Sequence, residues 1–243
     1  MGRVAARFHP LGAAAFLARE VSATVRVGLA AGRGWRGRSH AGGHRPDDAV
    51  VLIHGLMATA GAFSPLLRRL RDELGVVVHT FTFAPGAGLD SIAQKIHRAI
   101  ATHETARRIH LVGHSLGGLA ARWYVQELAA DPRVVQTISI ASPFLGLDLA
   151  DWFPDRLRRL VMPLSSQLAR IVSEAPKHLA RVPHLSIVAD RDQLIQPTHA
   201  ILPGAPHYVL HDTGHNGSLF HARLHDALAQ QIRRVTADEE LGG

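Results

Sequence analysis

A serine hydroxyl becomes a useful nucleophile when a histidine takes its proton, and that histidine works best when a buried carboxylate holds it in one tautomer. Three stretches of this 243-residue sequence offer such groups in the order Ser, Asp, His. The first is Gly113-His114-Ser115-Leu116-Gly117, which follows the apolar run Ile109 to Val112 and precedes helical spacing at Leu119, Ala120, Trp123, Val125 and Leu128. A serine at the apex of a strand-turn-helix brings neighbouring backbone so close that the positions two before and two after it must lack a side chain. Gly113 and Gly117 meet that demand. The second stretch, Asp190-Arg191-Asp192-Gln193-Leu194-Ile195, follows one apolar run, and the third, Asp212-Thr213-Gly214-His215-Asn216-Gly217, follows the next.

Gly-x-Ser-x-Gly taken alone also fits an ordinary glycine-rich turn, so the elements around it have to decide. In an open parallel sheet, loops converge on one crevice only at the carboxyl ends of the strands. Asp192 and His215 each fall just beyond a predicted strand, as the geometry requires. Asp190 is the rival acid, nearer its strand end; Asp192 is favoured because an acid is expected one turn further on. His54 and His114 sit beside the site and are read as shaping it. His110, His184, His207, His211, His221 and His225 are read as surface residues, and Trp123 and Tyr124 as helix packing. No set of residues has metal-ligand spacing, and no cofactor is expected.

The positioning elements follow from periodicity. Ala49 to Ile53 is continuously apolar, as in a strand covered on both faces, and ends in His54-Gly55-Leu56. Ser64-Pro65 predicts a helix start, and Gly75 its end. Strands are expected at Val76 to Phe83, Val134 to Ile140, His184 to Ala189 and His207 to Leu210. A helix is expected with Ile92, Ile96, Ala99 and Ile100 facing in, and a terminal one over about 218–235 with Leu219, Leu224, Leu228 and Ile232 facing in. Strands and helices alternate, which predicts an α/β fold: a mostly parallel sheet with helices on both faces. Residues 143–183 break the rhythm, with an apolar cluster at Phe144, Leu145, Leu147, Leu149, Trp152 and Phe153, and read as a small helical cap or lid. Residues 47–237 form the main domain and 238–243 a flexible tail.

The net charge of +7 lies wholly in residues 1–46, where eight arginines face Glu20 alone; the remainder is neutral. A basic pI therefore gives no argument for nucleic-acid binding by the main domain. Within this arm, Leu11, Ala14, Ala18, Val21, Val25 and Gly28 share one helical face and Arg19, Ser22 and Arg26 the other, which predicts an amphipathic helix over about 10–30. It either docks on the main domain or meets an anionic membrane surface. Residues 31–46, rich in glycine and arginine, read as a linker. The apolar core from Leu11 to Ala18 is marginal for a signal peptide, which favours a cytoplasmic, membrane-associated location. The absence of cysteine excludes a thiolate nucleophile and disulfide staples.

Val50-Val51-Leu52-Ile53-His54-Gly55, Gly113 to Gly118, Asp192-Gln193-Leu194-Ile195 and Gly214-His215 together resemble the α/β-hydrolase superfamily, and within it the bacterial triacylglycerol lipases and related carboxylesterases, over about 47–235. Ser142-Pro143-Phe144-Leu145-Gly146 departs from the Thr-Pro-His expected in many such lipases. The resemblance implies Ser115 as nucleophile, His215 as base, Asp192 as its orienting acid, and lipid-type acyl esters as substrates. The backbone N–H of Leu116 is one oxyanion donor; the resemblance implies that of Leu56 as the other. An acyltransferase or thioesterase would use the same three groups, and a catalytically silent scaffold binding a partner through the basic arm is the reading from another class.

Overall fold

The computed structural model describes residues 10–33, 38–40, 45–128, 130–146 and 164–242. Its seven-stranded sheet has the order β1 (Arg38–His40), β3 (Val76–Phe81), β2 (Arg45–Ile53), β4 (Arg108–His114), β5 (Val134–Ile140), β6 (His184–Ala189), β7 (His207–Leu210). All pairings are parallel except that of β1 with β3. The apolar run of β2 is buried from Ala49 to Ile53. Ala49, Val51 and Ile53 enter one core layer with helices α3 (Leu89–Ala101), α4 (Leu116–Glu127) and α5 (Ser165–Leu179). Val50 and Leu52 enter the other with α2 (Ser64–Leu74) and α6 (Ala222–Gly242). Each such aliphatic side chain contributes roughly 1.5–3 kcal/mol relative to exposure, so this two-sided burial sets the pairing of the central strands.

The order in which strands are added reverses at β2: the next strand in sequence lies on one side of it and β4 on the other. The crevice above that switch is where an open α/β sheet collects its ligand-binding loops. Helix ends follow local chemistry, as at Gly75, whose φ of 67° closes α2 in the left-handed conformation that glycine adopts without strain.

Several expectations change. Arg38–His40, placed in the linker, adds an antiparallel edge strand to β3. Of the expected cap, Ser165–Leu179 is a crossover helix between β5 and β6, with Ile171 and Ala175 in the core. Residues 147–163, which hold most of the cap's apolar cluster, lie outside the described residues. Helix α6 continues to Gly242, past Asp238 where the tail was expected. His110, His184 and His225 are buried rather than on the surface. They are tolerated there because each has a polar partner: Gln136 for His110 (2.8 Å), Thr137 and Ser139 for His184 (2.7 and 3.0 Å), and the carbonyl of Leu219 for His225 (3.2 Å).

Helix α1 (Pro10–Arg33) forms as predicted. Val21 and Val25 of the apolar face are exposed, as is Leu29, while Phe16, Ala23 and Val27 are buried. Glu20 lies on the buried side, where its carboxylate accepts backbone N–H groups of Gly214 and Gly217. That polar demand orients the helix, leaving its aliphatic stripe in solvent.

Candidate active site

Ser115 caps α4 at φ 53° and ψ −121°, a conformation that costs a non-glycine residue of order 1–3 kcal/mol. Its N–H donates to the carbonyl of Ile140 on β5 at 2.8 Å, which helps to hold the turn. The flanking glycines are required for close approach. A Cβ on Gly113 would lie 2.2 Å from the carbonyl carbon of Gly117, and one on Gly117 only 2.0 Å from the carbonyl oxygen of Ile53. Among the described residues the other non-glycine positions at positive φ are Met57, Ala141 and Asp212. All four follow the carboxyl end of a strand, so the strain gathers at one edge of the sheet.

His215 follows β7, and its Nδ1 lies 2.7 Å from Oδ2 of Asp192. Both side chains are nearly buried, at 7% and 2% exposure. The second oxygen of Asp192 accepts the N–H groups of Leu194 (2.8 Å) and Ile195 (3.0 Å), which fixes the carboxylate in its turn. Asp190 pairs instead with the exposed His211 at 3.0 Å. With Nδ1–H donated to Asp192, the His215 ring keeps Nε2 as its basic nitrogen.

The two neighbouring histidines are built as neutral supports. His114 Nε2–H donates to the carbonyl of His215 at 3.1 Å, and the same carbonyl accepts from the hydroxyl of Ser218 at 2.7 Å. Burial, with the adjacent His215, pushes the His114 pKa down to about 3. His54 Nδ1–H donates to the carbonyl of Gly55 at 2.8 Å while Nε2 accepts the N–H of Phe83 at 3.2 Å. Its ring stacks on Phe83 with centroids 3.9 Å apart, and burial lowers its pKa to about 4.

Ser115 and His215 open into one cavity of about 320 Å³, whose wall is mostly apolar and includes Leu119, Leu164, Leu194 and Ile195. Leu56 and Leu116 line it as well, and no hydrogen bond among the described residues takes the N–H of either. The predicted residues are thus drawn to one rim. Sequence reasoning missed Thr24, Val27 and Gly28 of α1, which also line this cavity, and missed Glu20. The signals available for them were a single acid among eight arginines and a glycine on either side of the His215 segment. Among the described residues no group of three or more His, Asp or Glu side chains could hold a metal ion. Nor is any described helix long and apolar enough to cross a membrane.

A family model described as the alpha/beta hydrolase family matches residues 50–183. The chain belongs to this family. Among solved structures, this alpha/beta hydrolase is similar to a mature lipase of Bacillus licheniformis, with a TM-score of 0.63 and 15% identity over 82% of this chain and 98% of that one. It is also similar to a thermophilic esterase of Thermogutta terrifontis (TM-score 0.58, 16% identity, 82% and 93% covered). A third is a proline iminopeptidase of Mycobacterium smegmatis (TM-score 0.56, 16% identity, 84% and 95% covered). At these identities the likeness is one of fold, and fold alone does not choose between ester and amide substrates. No curated protein sequence matches the chain.

Proposed function

We propose that this alpha/beta hydrolase is a serine carboxylic-ester hydrolase acting on acyl esters of lipid type. The observation that carries the reading is a His215 held at 2.7 Å by Asp192 and sharing an apolar cavity with a serine on a strained elbow. In this scheme Ser115 Oγ attacks the acyl carbonyl carbon as its proton passes to His215 Nε2. The C–O bond to the alcohol then breaks, and the alcohol leaves with that proton. Water, deprotonated by His215, attacks the acyl-enzyme, and Ser115 recovers its proton as the acid departs. Asp192 keeps the imidazolium oriented throughout. The N–H groups of Leu56 and Leu116 receive the developing oxyanion, where one such donor contributes roughly 3–4 kcal/mol.

The apolar wall of the cavity supports an aliphatic acyl chain, since few polar groups inside it would be left unpaired. A basic arm whose exposed face carries Val21, Val25 and Leu29 supports peripheral contact with an anionic lipid surface. The test is a series of p-nitrophenyl esters of increasing acyl length, run on the purified chain and on Ser115→Ala, with fluorophosphonate labelling of the serine. Turnover and labelling that both depend on Ser115 are the expected result. Undiminished turnover in Ser115→Ala defeats the reading, and a sharp fall beyond short chains narrows the substrate to small esters. Transfer of the acyl group to an added alcohol in preference to water would make the chain an acyltransferase.

A further inference from the structure

We infer that Glu20 is a positioning residue for His215, which makes α1 a working part of the site; this rests on the hydrolase reading above. His215 rides on the turn 212–217, between the end of β7 and a short helical turn at Gly217–Phe220. The two amides that bracket it converge on one side chain. Gly214 N–H donates to Glu20 Oε1 at 3.1 Å, and Gly217 N–H donates to Oε2 at 3.2 Å. A carboxylate accepting two backbone N–H groups makes charge-assisted bonds, roughly twice as strong as neutral ones, and it grips the histidine from both sides.

The backbone is cut to admit that carboxylate. A Cβ on Gly217 would lie 1.9 Å from Glu20 Oε1, and one on Gly214 would lie 2.5 Å from the Glu20 carboxyl carbon. Further contacts join α1 to this turn and to the turn that carries Asp192. Asn216 Nδ2 donates to Thr24 Oγ1 at 3.1 Å, Arg19 pairs with Asp212 at 3.2 Å, and the Arg191 guanidinium lies 4.4 Å from the Phe16 ring centre. One turn further along the helix, Thr24, Val27 and Gly28 enter the cavity wall. Glu20 is the single acid of the first 46 residues, and both its carboxylate oxygens are engaged in this contact. The helix also lies outside residues 50–183, so the matched family segment includes neither His215 nor the group that holds it.

The test uses the full chain, with p-nitrophenyl butyrate turnover and the rate of fluorophosphonate labelling read side by side. Glu20→Ala is expected to lower kcat about thirtyfold and to slow labelling by a similar factor, with KM changed less than about threefold, because a displaced base affects the reaction more than binding. Glu20→Gln keeps one acceptor oxygen and should fall between the two. Gly217→Ala should mimic Glu20→Ala in the wild-type background and add little to it, a coupling that a merely structural helix contact would not show. Ser22→Ala, on the exposed side of α1, is the unaltered control. If Glu20→Ala does not fold, Glu20→Gln decides alone. Kcat and labelling within about twofold of wild type in Glu20→Gln and in any folded Glu20→Ala overturn the positioning role while leaving the hydrolase reading intact. A wild-type chain silent in both assays overturns both.

Discussion

The two ends of this sheet are built on opposite principles. At the amino end, buried charge is fully engaged: Asp48, 1% exposed, receives Arg108 through two bonds of 2.6 and 3.2 Å, stands 3.5 Å from His110 and accepts the hydroxyl of Thr236. Nearby, Arg133 binds both oxygens of Asp131 and the carbonyls of His103 and Ala106. At the carboxyl end, four residues hold positive φ, glycines press backbone on backbone, and buried histidines are kept uncharged. One end ties its carboxylates to arginines. The other holds strain beside a mostly apolar cavity, which is the pattern expected where a fold departs from its own stability optimum for the sake of chemistry.

The division is broken most directly at Ser115. Ser115→Ala should reduce ester turnover by a factor of about 10⁴ or more while leaving the melting temperature equal or higher, because the hydroxyl serves the reaction and not the core. A large loss of thermal stability in a calorimetric scan would mean that this end is structural too. Next comes the pair of aspartates. Asp192→Asn should cost about 10³- to 10⁴-fold in kcat, since the amide no longer selects the productive tautomer of His215, whereas Asp190→Asn should stay within about threefold. Equal losses in steady-state assays of the two variants would remove Asp192 from its role.

How much of this was legible in the residues depends on whether the signal is local. The core strands were readable because β2 is apolar at every position from Ala49 to Ile53, which only two-sided burial explains, and Gly113 and Gly117 announced the elbow because their spacing about Ser115 is itself local. That Asp192 rather than Asp190 meets His215 was readable as a matter of reach beyond a strand. The orientation of α1 was not. Periodicity ranks faces by apolarity, and a single carboxylate bonded to two amides some 190 residues away outweighed three aliphatic side chains. The buried histidines His110 and His184 were missed for the same reason, since their partners Gln136, Thr137 and Ser139 lie on the neighbouring strand and only strand order brings them together.

At the amino end the matching prediction concerns stability. Asp48→Asn should destabilise the fold by about 3 kcal/mol, a drop of about 6–10 °C in Tm, because it leaves the Arg108 guanidinium with a weaker partner in a half-buried site. Ester turnover at 25 °C should change less than about twofold. A stability loss confined to the noise of the melt would show that Asp48 is dispensable and that the two ends differ less than their geometry suggests.

The smallest effect is the one that resolves both ends in one titration. His54 and His114 have folded-state pKa values pushed by burial to about 4 and about 3, against 6.5 for the free side chain. Below pH 6.5 the unfolded chain therefore takes up protons that the folded chain refuses, so their contribution to stability is complete above pH 6.5 and is lost progressively as the pH falls toward 4. Burial alone would raise the Asp48 carboxyl, but its bonds to His110 and Arg108 outweigh that and hold it well below 3.8. Its contribution is accordingly present above pH 3.8 and is lost only at lower pH. Denaturant melts across pH 8 to 3 should show two falls in stability, a first beginning near pH 6.5 from the carboxyl end and a second below about pH 4 from the amino end. His54→Asn should flatten the first without touching the second, and Asp48→Asn should do the reverse. A first fall unchanged in slope by the loss of His54 would place its origin in other buried histidines such as His184, whose pKa burial also lowers, and would cut the tie between acid sensitivity and the carboxyl rim.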